Sequence, residues 1–198
     1  RSQVSGARLI ANPGCYPTSA ILALAPLVEE GVIDPSIVVD SKSGVSGAGR
    51  GLSMATHYSE VNENVMAYSL QGHRHLPEII QELECLMPGK ATTSGSQSLA
   101  ITFVTHLIPM TRGILSTCYA QLKPGAFSSS DGATSGVRQL YEDFYSGEHF
   151  VKVVPAPPQS KQTLGNNMCL IYPTIDPRTS KLIIISCLDN LVKGAAGQ

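Results

Sequence analysis

The 198-residue chain carries 14 Lys and Arg against 15 Asp and Glu, giving a formal net charge of −1 at pH 7, and 42% of its residues are hydrophobic. This composition is sufficient for one globular core and provides no positive surface for a polyanion, so we expect no nucleic-acid partner. The longest apolar stretches, residues 20–28 and 182–185, are far shorter than the ~20 residues of a membrane span, so we expect no membrane partner either.

Three helices are predicted in chain order. Residues 15–30 carry apolar side chains at helical spacing and end at Gly31, and Pro26 is expected to kink or shorten this helix. Residues 77–87 begin with a proline at a first helical position, and residues 131–146 place their apolar side chains on one face.

Seven runs rich in β-branched and aromatic residues predict strands, and a turn-rich joint at 175–180 predicts a hairpin between the last two. Runs of adjacent strands that do not alternate with helices predict an α+β fold, with a mixed, largely antiparallel sheet and helices packed on one face. The predicted strands are residues 36–40, 65–70, 98–108, 114–122, 150–154, 168–174 and 181–188.

Low-complexity composition predicts surface loops at 91–98 and 125–136. The chain lacks an initiator Met and stops within a helix-compatible stretch, so we expect both ends to be excision points in a longer protein. Five cysteines form an odd set without close pairing, which favours a reducing, cytoplasmic compartment over a disulfide framework.

Cys15 is the leading candidate nucleophile. It lies between a strand-like run and a predicted helix, where the helix dipole and free backbone N–H groups favour a thiolate and could hold the oxygen of a tetrahedral intermediate. The alternative is a buried cysteine that acts as a small apolar residue, which is our interpretation of the other cysteines. Those are Cys85, Cys118, Cys169 and Cys187.

The pair His73 and His75 is the candidate proton carrier. In an extended segment the two imidazoles share a face and Arg74 points away from them. The positive end of the following helix is expected to lower the pKa of His75, and Glu78 could orient its ring. A structural or metal-binding pair is the alternative, but no further ligands stand at zinc spacing, so no metal site is predicted.

The glycine-rich stretch 44–51 fails both the Walker pattern and the dinucleotide fingerprint. Its backbone N–H groups could line an anionic ligand, or the stretch could be a simple mobile loop. Arg112 stands between two predicted strands, where it could clamp a carboxylate or phosphate or be a solvated turn residue. The sequence does not decide between these alternatives.

Taken together, these segments resemble the N-acetyl-γ-glutamyl-phosphate reductases of arginine biosynthesis. The matching pieces, in family order, are residues 12–18, 41–50, 72–79, 106–114 and 189–198. Ser19 departs from the family, which usually has Gly or Ala there.

The resemblance implies that residues 1–198 are a single catalytic and dimerisation domain, like the C-terminal domain of glyceraldehyde-3-phosphate dehydrogenase. An N-terminal Rossmann domain that binds NADP and a C-terminal returning helix would lie outside this sequence, which explains the missing fingerprint. It also implies a cytoplasmic (in a plant, plastid stromal) homodimer or homotetramer, and an isolated domain without activity.

The resemblance further implies NADPH-dependent reduction of an acyl phosphate through a thioester on Cys15. His75 or His73 would then carry the proton. The implied binding residues are Ser46, Gly47 and Asn190 for the cofactor, and Asn12, Arg74 and Arg112 for the substrate. Three alternatives stay open: a sibling reductase for another acyl phosphate, a non-enzymatic dimerisation module, and a cysteine hydrolase.

Overall fold

The computed structural model describes residues 2–89, 98–127 and 130–198 of the chain, and these form one seven-stranded sheet in the order β2-β3-β1-β4-β7-β6-β5. The strands are β1 (Ser36–Ser43), β2 (Met66–Tyr68), β3 (Ala100–Leu107), β4 (Ile114–Gln121), β5 (Val151–Val153), β6 (Cys169–Asp176) and β7 (Lys181–Leu188). The helices are α1 (Ser2–Ser5), α2 (Cys15–Glu29), α3 (Tyr58–Val61), α4 (Leu76–Leu86) and α5 (Ser130–Phe144). Short 3₁₀ turns occupy Val45–Ala48, Met54–Thr56 and Ser160–Thr163, and a π-helical turn occupies Val192–Ala196.

The predicted mixed, largely antiparallel sheet is confirmed. β1 pairs in parallel with β3, and β5 with β6, whereas the pairs β1–β4, β2–β3, β4–β7 and β6–β7 are antiparallel. The hairpin predicted around 175–180 joins β6 to β7. Because side chains alternate along each strand, every second residue of the central strands is buried beneath the helices.

Helices α2, α4 and α5 cover one face of the sheet. α2 lies over β4 and β7, with α4 on one side of it and α5 on the other. The largest buried side chains lie between these layers and include Leu24 and Leu27 of α2, Ile114 of β4 and Ile184 of β7. The core therefore fixes α2, and with it Cys15 in its first turn, against the middle of the sheet.

Tyr145 replaces a hydrogen bond that Pro26 removes from α2, and Tyr141 binds the neighbouring carbonyl. Proline has no backbone N–H, so the carbonyl of Leu22 four residues earlier has no helical donor. The Tyr145 hydroxyl donates to that carbonyl, and the Tyr141 hydroxyl donates to the carbonyl of Ala23. The helix therefore continues past Pro26, and the expectation that the proline shortens it is wrong.

Replacing Tyr145 with phenylalanine is expected to lower the free energy of unfolding by about 1–2 kcal/mol, because the Leu22 carbonyl then remains buried without a donor. Urea denaturation measures the difference. Tyr58→Phe is the matched control, since the Tyr58 side chain is exposed and lies outside the core. Equal stability of the two variants would contradict the role of Tyr145.

Several element boundaries differ from the predictions. β1 extends three residues beyond the predicted 36–40, and β2 keeps only three of the predicted 65–70. The loop predicted at 125–136 is wrong from residue 130 onward, because α5 begins there. Most of the loop predicted at 91–98 lies outside the described residues.

A row of hydrogen-bonded side chains crosses the interior beneath α2. Ser19 of α2 contacts Ser116 of β4 and Ser186 of β7 at 3.0 Å each. Ser116 also pairs with Ser41 of β1 at 2.7 Å, and Ser186 pairs with the Cys169 sulfur at 3.4 Å. All five side chains are fully buried, so this hydroxyl row connects α2 to four strands within the core.

All five cysteines are free. Cys118, Cys169 and Cys187 are buried as expected, but Cys85 on α4 is exposed, so its interpretation as a core residue is wrong. None of the helices in the described residues has the length and apolar content needed to cross a membrane.

Candidate active site

A cavity of about 510 Å³ opens beside the first turn of α2. Its walls are the start of α2, the turn before α4, strand β2 with the end of β3, and the loop that follows β1. Four of the residues singled out in the sequence line it together, namely Cys15, His73, Arg74 and His75, and so does Gly47.

Two glycines allow the close packing around Cys15. A Cβ atom on Gly14 would lie 2.6 Å from Nε2 of His75, and a Cβ atom on Gly194 would lie 2.8 Å from the Cβ of Cys15. Neither distance is possible for a real side chain, so glycine is required at both positions. The imidazole of His75 therefore lies directly against Gly14, the residue that precedes Cys15.

The expected lowering of the Cys15 pKa is wrong in direction. Burial raises the pKa of the thiol, and this outweighs the opposite effects of the backbone N–H groups of Cys15 and Tyr16 and of the Arg74 guanidinium. Glu78 raises it further. The thiol is thus protonated at neutral pH in this environment and requires a base to become a nucleophile.

The two histidines differ in their surroundings. His73 packs edge-on against Tyr16, Tyr68 and Phe103 at centroid distances of 5.4–5.7 Å, and its Nδ1 accepts the backbone N–H of His75 at 3.1 Å. Burial, followed by the proximity of His75 and Arg74, lowers the pKa of His73 to about 4. His73 is therefore a neutral ring with Nδ1 as acceptor.

His75 has no such fixed partner. Burial and then Arg74 lower its pKa, so the expected direction is confirmed although burial, rather than the helix end, is the main cause. Its Nδ1 is buried without a hydrogen-bond partner among the described residues. A neutral imidazole whose Nε2 lies against Gly14 is suited to accept a proton.

The expectation that Glu78 orients His75 is not met. Its Oε1 instead accepts the backbone N–H of Gly14 at 3.0 Å. This bond ties α4 to the residue before Cys15 and satisfies one of the free N–H groups at the start of α2. Glu78 therefore holds the start of α2 in place rather than the ring of His75.

Arg74 lies on the same cavity as the histidines rather than pointing away from them, because residues 73–75 form a turn and not an extended segment. It is exposed and makes no ion pair within the described ranges 2–89, 98–127 and 130–198. An exposed guanidinium that lines the cavity can meet an anionic group of a ligand.

Ser46, Gly47 and Asn190 come together on one side of the cavity. The buried Asn190 amide donates to Oγ of Ser46 at 3.0 Å and accepts the backbone N–H of Gly113 at 2.7 Å. A Cβ atom on Gly47 would lie 3.6 Å from the same amide. Gly47 lines the cavity itself, and Ser46 and Asn190 lie behind it.

The loop 44–47 does not offer the anion-binding N–H groups considered from its sequence. The N–H groups of Gly44, Val45 and Ser46 donate to the carbonyls of residues 113, 110 and 111, and that of Gly47 donates back to Gly44. These groups are used to hold the loop against the β3–β4 connection, and the mobile-loop alternative is wrong for residues 44–47 as well.

Arg112 and Asn12 lie outside the Cys15 cavity. Arg112 pairs with the fully buried carboxylate of Asp189 at 2.9 Å, and the amide of Asn12 donates to the carbonyl of Ala195 at 3.1 Å. Their roles in substrate binding stay predictions. The described residues contain no cluster of three His, Cys, Asp or Glu side chains that could hold a metal ion.

Sequence reasoning missed three residues that organise the site. Burial acts to raise the pKa of Asp189, but hydrogen bonds from the Gly165 and Leu191 N–H groups and from Arg112 lower it overall. The hydroxyls of Tyr16 and Tyr68 pair at 2.9 Å beside the histidines. Two signals in the sequence could have identified these residues: Tyr16 directly follows Cys15, and Asp189 directly follows a strand.

Comparison with known proteins places this arrangement among enzymes. The family described as "Semialdehyde dehydrogenase, dimerisation domain" matches residues 15–190. Proteins named N-acetyl-gamma-glutamyl-phosphate reductase from Dehalococcoides mccartyi and Pelotomaculum thermopropionicum are 50% and 51% identical over the whole chain. The chain spans about half the length of these relatives, 54% in each case.

Solved structures share the fold at low sequence identity. Aspartate semialdehyde dehydrogenase II from Vibrio cholerae matches 98% of this chain and 61% of its own, with a TM-score of 0.67 and 16% identity. A probable aspartate-semialdehyde dehydrogenase from Pseudomonas aeruginosa matches 98% and 62%, with a TM-score of 0.67 and 15% identity. The predicted fold class, like the C-terminal domain of glyceraldehyde-3-phosphate dehydrogenase, is confirmed.

Proposed function

The chain belongs to the semialdehyde dehydrogenase dimerisation-domain family, and from that premise we propose that it is the catalytic and dimerisation domain of an N-acetyl-γ-glutamyl-phosphate reductase. In the complete enzyme a Rossmann domain precedes it and a helix follows it. The reaction converts N-acetyl-γ-glutamyl phosphate to N-acetylglutamate semialdehyde, a step of arginine biosynthesis. The observation that carries this proposal is the shared cavity of Cys15 and His75 at the start of α2.

The first step is transfer of the Cys15 proton to Nε2 of His75. Because burial raises the pKa of the thiol and lowers that of the imidazole, the ion pair forms only transiently, as the sulfur attacks the acyl carbon. The carbon–sulfur bond forms, the bond to the phosphate oxygen breaks, and inorganic phosphate leaves with its charge near Arg74. A thioester on Cys15 remains.

The second half requires a reductant, and the wall of the cavity fits a nicotinamide. Gly44, Gly47 and Ala48 line it with small side chains beside Cys15, so a flat ring can lie close to the sulfur. We assign Gly47, Ser46 and Asn190 to the nicotinamide end, with the rest of the cofactor on the Rossmann domain. When bound, NADPH supplies a hydride for the thioester carbonyl.

Collapse of the resulting thiohemiacetal releases the aldehyde and returns the sulfur of Cys15. His75 now acts in reverse and gives the proton it accepted back to the sulfur, while the released phosphate takes up one proton from solvent, so the domain ends the cycle as it began. We give His73 a positioning role instead, because its Nδ1 already accepts the backbone N–H of His75, whereas Nδ1 of His75 has no such partner among the described residues.

The test is an assay of the complete enzyme in the reverse direction, with N-acetylglutamate semialdehyde, inorganic phosphate and NADP⁺. We expect phosphate-dependent NADPH formation with this aldehyde and at least tenfold less with aspartate semialdehyde. A preference for aspartate semialdehyde would assign the enzyme to the sibling reductases. Absence of activity with either aldehyde would support a non-enzymatic module.

We also propose that the complete enzyme is a homodimer joined through the sheet face that α2, α4 and α5 leave uncovered. That face carries large apolar side chains that are only half-buried in one copy, including Leu115 and Tyr119 of β4 and Ile185 of β7. Burial of such a face against a second copy removes this apolar surface from water.

We also assign the enzyme to the cytoplasm, because its cysteines are free thiols and its substrates fit that compartment.

Introducing lysine at Ile185 is expected to weaken this dimer at least ~30-fold, because Ile185 lies between Thr117 and Tyr172 in the middle of the face and a buried ammonium there has no counter-charge. Sedimentation analysis measures the dissociation constant. The control is Leu52→Lys, on a fully exposed loop side chain. A dimer unchanged by Ile185→Lys would place the interface elsewhere.

A further inference from the structure

The buried carboxylate of Asp189 has a set of partners that the proposed reaction does not use. Asp189 directly follows β7 and is fully buried. Its Oδ1 accepts a hydrogen bond from Nε of Arg112 at 3.3 Å and one from the Leu191 N–H at 2.8 Å. Its Oδ2 lies 2.9 Å from Nη2 of Arg112 and accepts the Gly165 N–H at 2.7 Å. The guanidinium thus pairs with both oxygens, a geometry that fixes the direction of each side chain.

These partners join three loops that are distant in sequence. Arg112 belongs to the connection between β3 and β4, Gly165 to the loop before β6, and Leu191 to the turn that follows β7. Removing one partner of a buried ion pair leaves the other charge uncompensated, which is strongly unfavourable. The carboxylate therefore holds the three loops together as one unit.

The turn formed by residues 189–194 contacts the nucleophile. The Asp189 carbonyl accepts the N–H groups of Val192 and Gly194 at 3.2 Å and 2.9 Å. Gly194 in turn packs so closely on Cys15 that a Cβ atom on it would lie 2.8 Å from the Cys15 Cβ. A shift of this turn would therefore move the surface against which Cys15 rests.

The same turn carries Asn190, which contacts the loop that follows β1. In the chain Asp189 precedes Asn190, and Arg112 precedes Gly113. The ion pair therefore lies directly beside the hydrogen bond from the Gly113 N–H to the Asn190 amide, which is 2.7 Å long. Because that amide also donates to Oγ of Ser46 at 3.0 Å, the contact between Asn190 and Ser46 depends on the ion pair next to it.

Asp189 and Arg112 are absent from the described residues that line the Cys15 cavity, so any effect of theirs on the reaction must pass through the residues they hold. We propose that Asp189 is a positioning residue: paired with Arg112, it sets the turn 189–194 so that Asn190 meets Ser46 and Gly194 packs against Cys15. The inference rests on the proposed function and deepens it. It gives Arg112 a role at the cofactor end in place of the predicted substrate contact.

Asp189→Asn in the complete enzyme tests this role. The variant keeps the shape of the side chain and removes its charge, so Arg112 loses its counter-ion and two backbone N–H groups compete for one amide oxygen. We expect the dissociation constant of NADP⁺, measured by titration calorimetry, to rise roughly fivefold or more. KM for N-acetylglutamate semialdehyde should stay within about twofold of the wild type, because the change acts at the cofactor end.

The alkylation rate of Cys15 by iodoacetamide is the second measurement, and it needs no cofactor. It is followed in a Cys85→Ser background, since Cys85 is exposed and the remaining three cysteines are buried. We expect Asp189→Asn to raise this rate about threefold, because Gly194 is then held less tightly against the sulfur-bearing side chain and the thiol becomes more accessible.

Arg112→Gln is the milder variant, because Arg112 is partly exposed and its removal leaves both backbone donors of Asp189 in place. It is expected to shift both measurements in the same direction by a smaller factor. Arg112→Lys keeps a cation but loses the planar fork, so it should lie between Arg112→Gln and the wild type. If Asp189→Asn does not fold, the two Arg112 variants decide.

Asp176→Asn is the matched control. Asp176 pairs with Arg178 through both oxygens, at 3.0 Å and 2.8 Å, but in the hairpin at the opposite end of β7. The NADP⁺ dissociation constant and the Cys15 alkylation rate of this variant should equal those of the wild type.

If either measurement is unchanged in both Asp189→Asn and Arg112→Gln, the proposal is wrong, and a lower melting temperature alone would mean that the pair only stabilises the fold. A higher KM for the aldehyde or for phosphate in Arg112→Gln, with unchanged NADP⁺ binding, would also overturn it and return Arg112 to the substrate. A wild type that neither binds NADP⁺ nor turns over the aldehyde would instead refute the proposed function.

Discussion

Replacing Cys15 with serine is expected to lower turnover of the complete enzyme by several orders of magnitude while leaving the fold intact. A serine hydroxyl is far less acidic than a thiol, so the half-buried imidazole of His75 activates it far less, and an ester is a poorer hydride acceptor than a thioester. The substitution changes one atom at the first residue of α2 and adds no volume to a site where Gly194 already packs against the side chain.

Steady-state assay of the purified variant measures the loss, and urea denaturation checks that stability is retained. The exposed Cys85 on α4 provides the control, since Cys85→Ser removes a thiol outside the cavity and should keep full activity. Near-normal turnover of Cys15→Ser would refute the assignment of the nucleophile.

Replacing His75 with glutamine is expected to lower turnover by about 10²- to 10⁴-fold at pH 7, the range associated with loss of a general base. The variant and the wild type should also differ in how their activity changes with pH. In the wild type the neutral imidazole takes the thiol proton, so activity falls as the pH drops through the lowered pKa of His75. In the variant the thiol must ionise by itself, and because burial raises its pKa, activity should increase steadily from pH 7 to 9.

Parallel pH profiles of the wild type, His75→Gln and His149→Gln test this assignment. His149 lies beside Phe150, away from the cavity, and its variant should follow the wild type. His73→Gln removes a ring from an aromatic cluster and the acceptor for the His75 N–H, so a smaller loss without the alkaline rise is expected. If His73→Gln has the alkaline rise and His75→Gln does not, the roles of the two histidines are reversed.

The sequence predicted the local elements well because they depend on local periodicity. The side-chain patterns alone predicted the strand at 181–188 and the helix that starts at Cys15. The structure has both elements at these positions. The predicted loop 125–136 and the predicted helix 131–146 overlap, and the helix is confirmed there, because small polar residues resemble a loop only in isolation. There Val137 and Tyr141, further along α5, pack into the core and hold the helix.

The sequence singled out Cys15, His73, Arg74 and His75, and the structure brings these four residues to one cavity. Their electrostatics could not be predicted, because the direction of the Cys15 pKa depends on burial by segments distant in sequence. The partners of Glu78 and Arg112 lie 64 and 77 residues away, so no local pattern could assign them. Glu78 bonds to the start of α2, whereas the sequence suggested that it orients His75. Arg112 pairs with Asp189, a contact that the sequence did not suggest.

The hydroxyl row beneath α2 has a consequence for exchanging residues with relatives. Ser19 is its central member, so alanine at this position would leave Ser116 and Ser186 each with one partner fewer and split the row into two isolated pairs. Buried hydroxyls stripped of partners destabilise a core. The residue at position 19 is therefore coupled to its neighbours. Replacing Ser19 with alanine should be tolerated best when Ser116 of β4 and Ser186 of β7 are replaced at the same time.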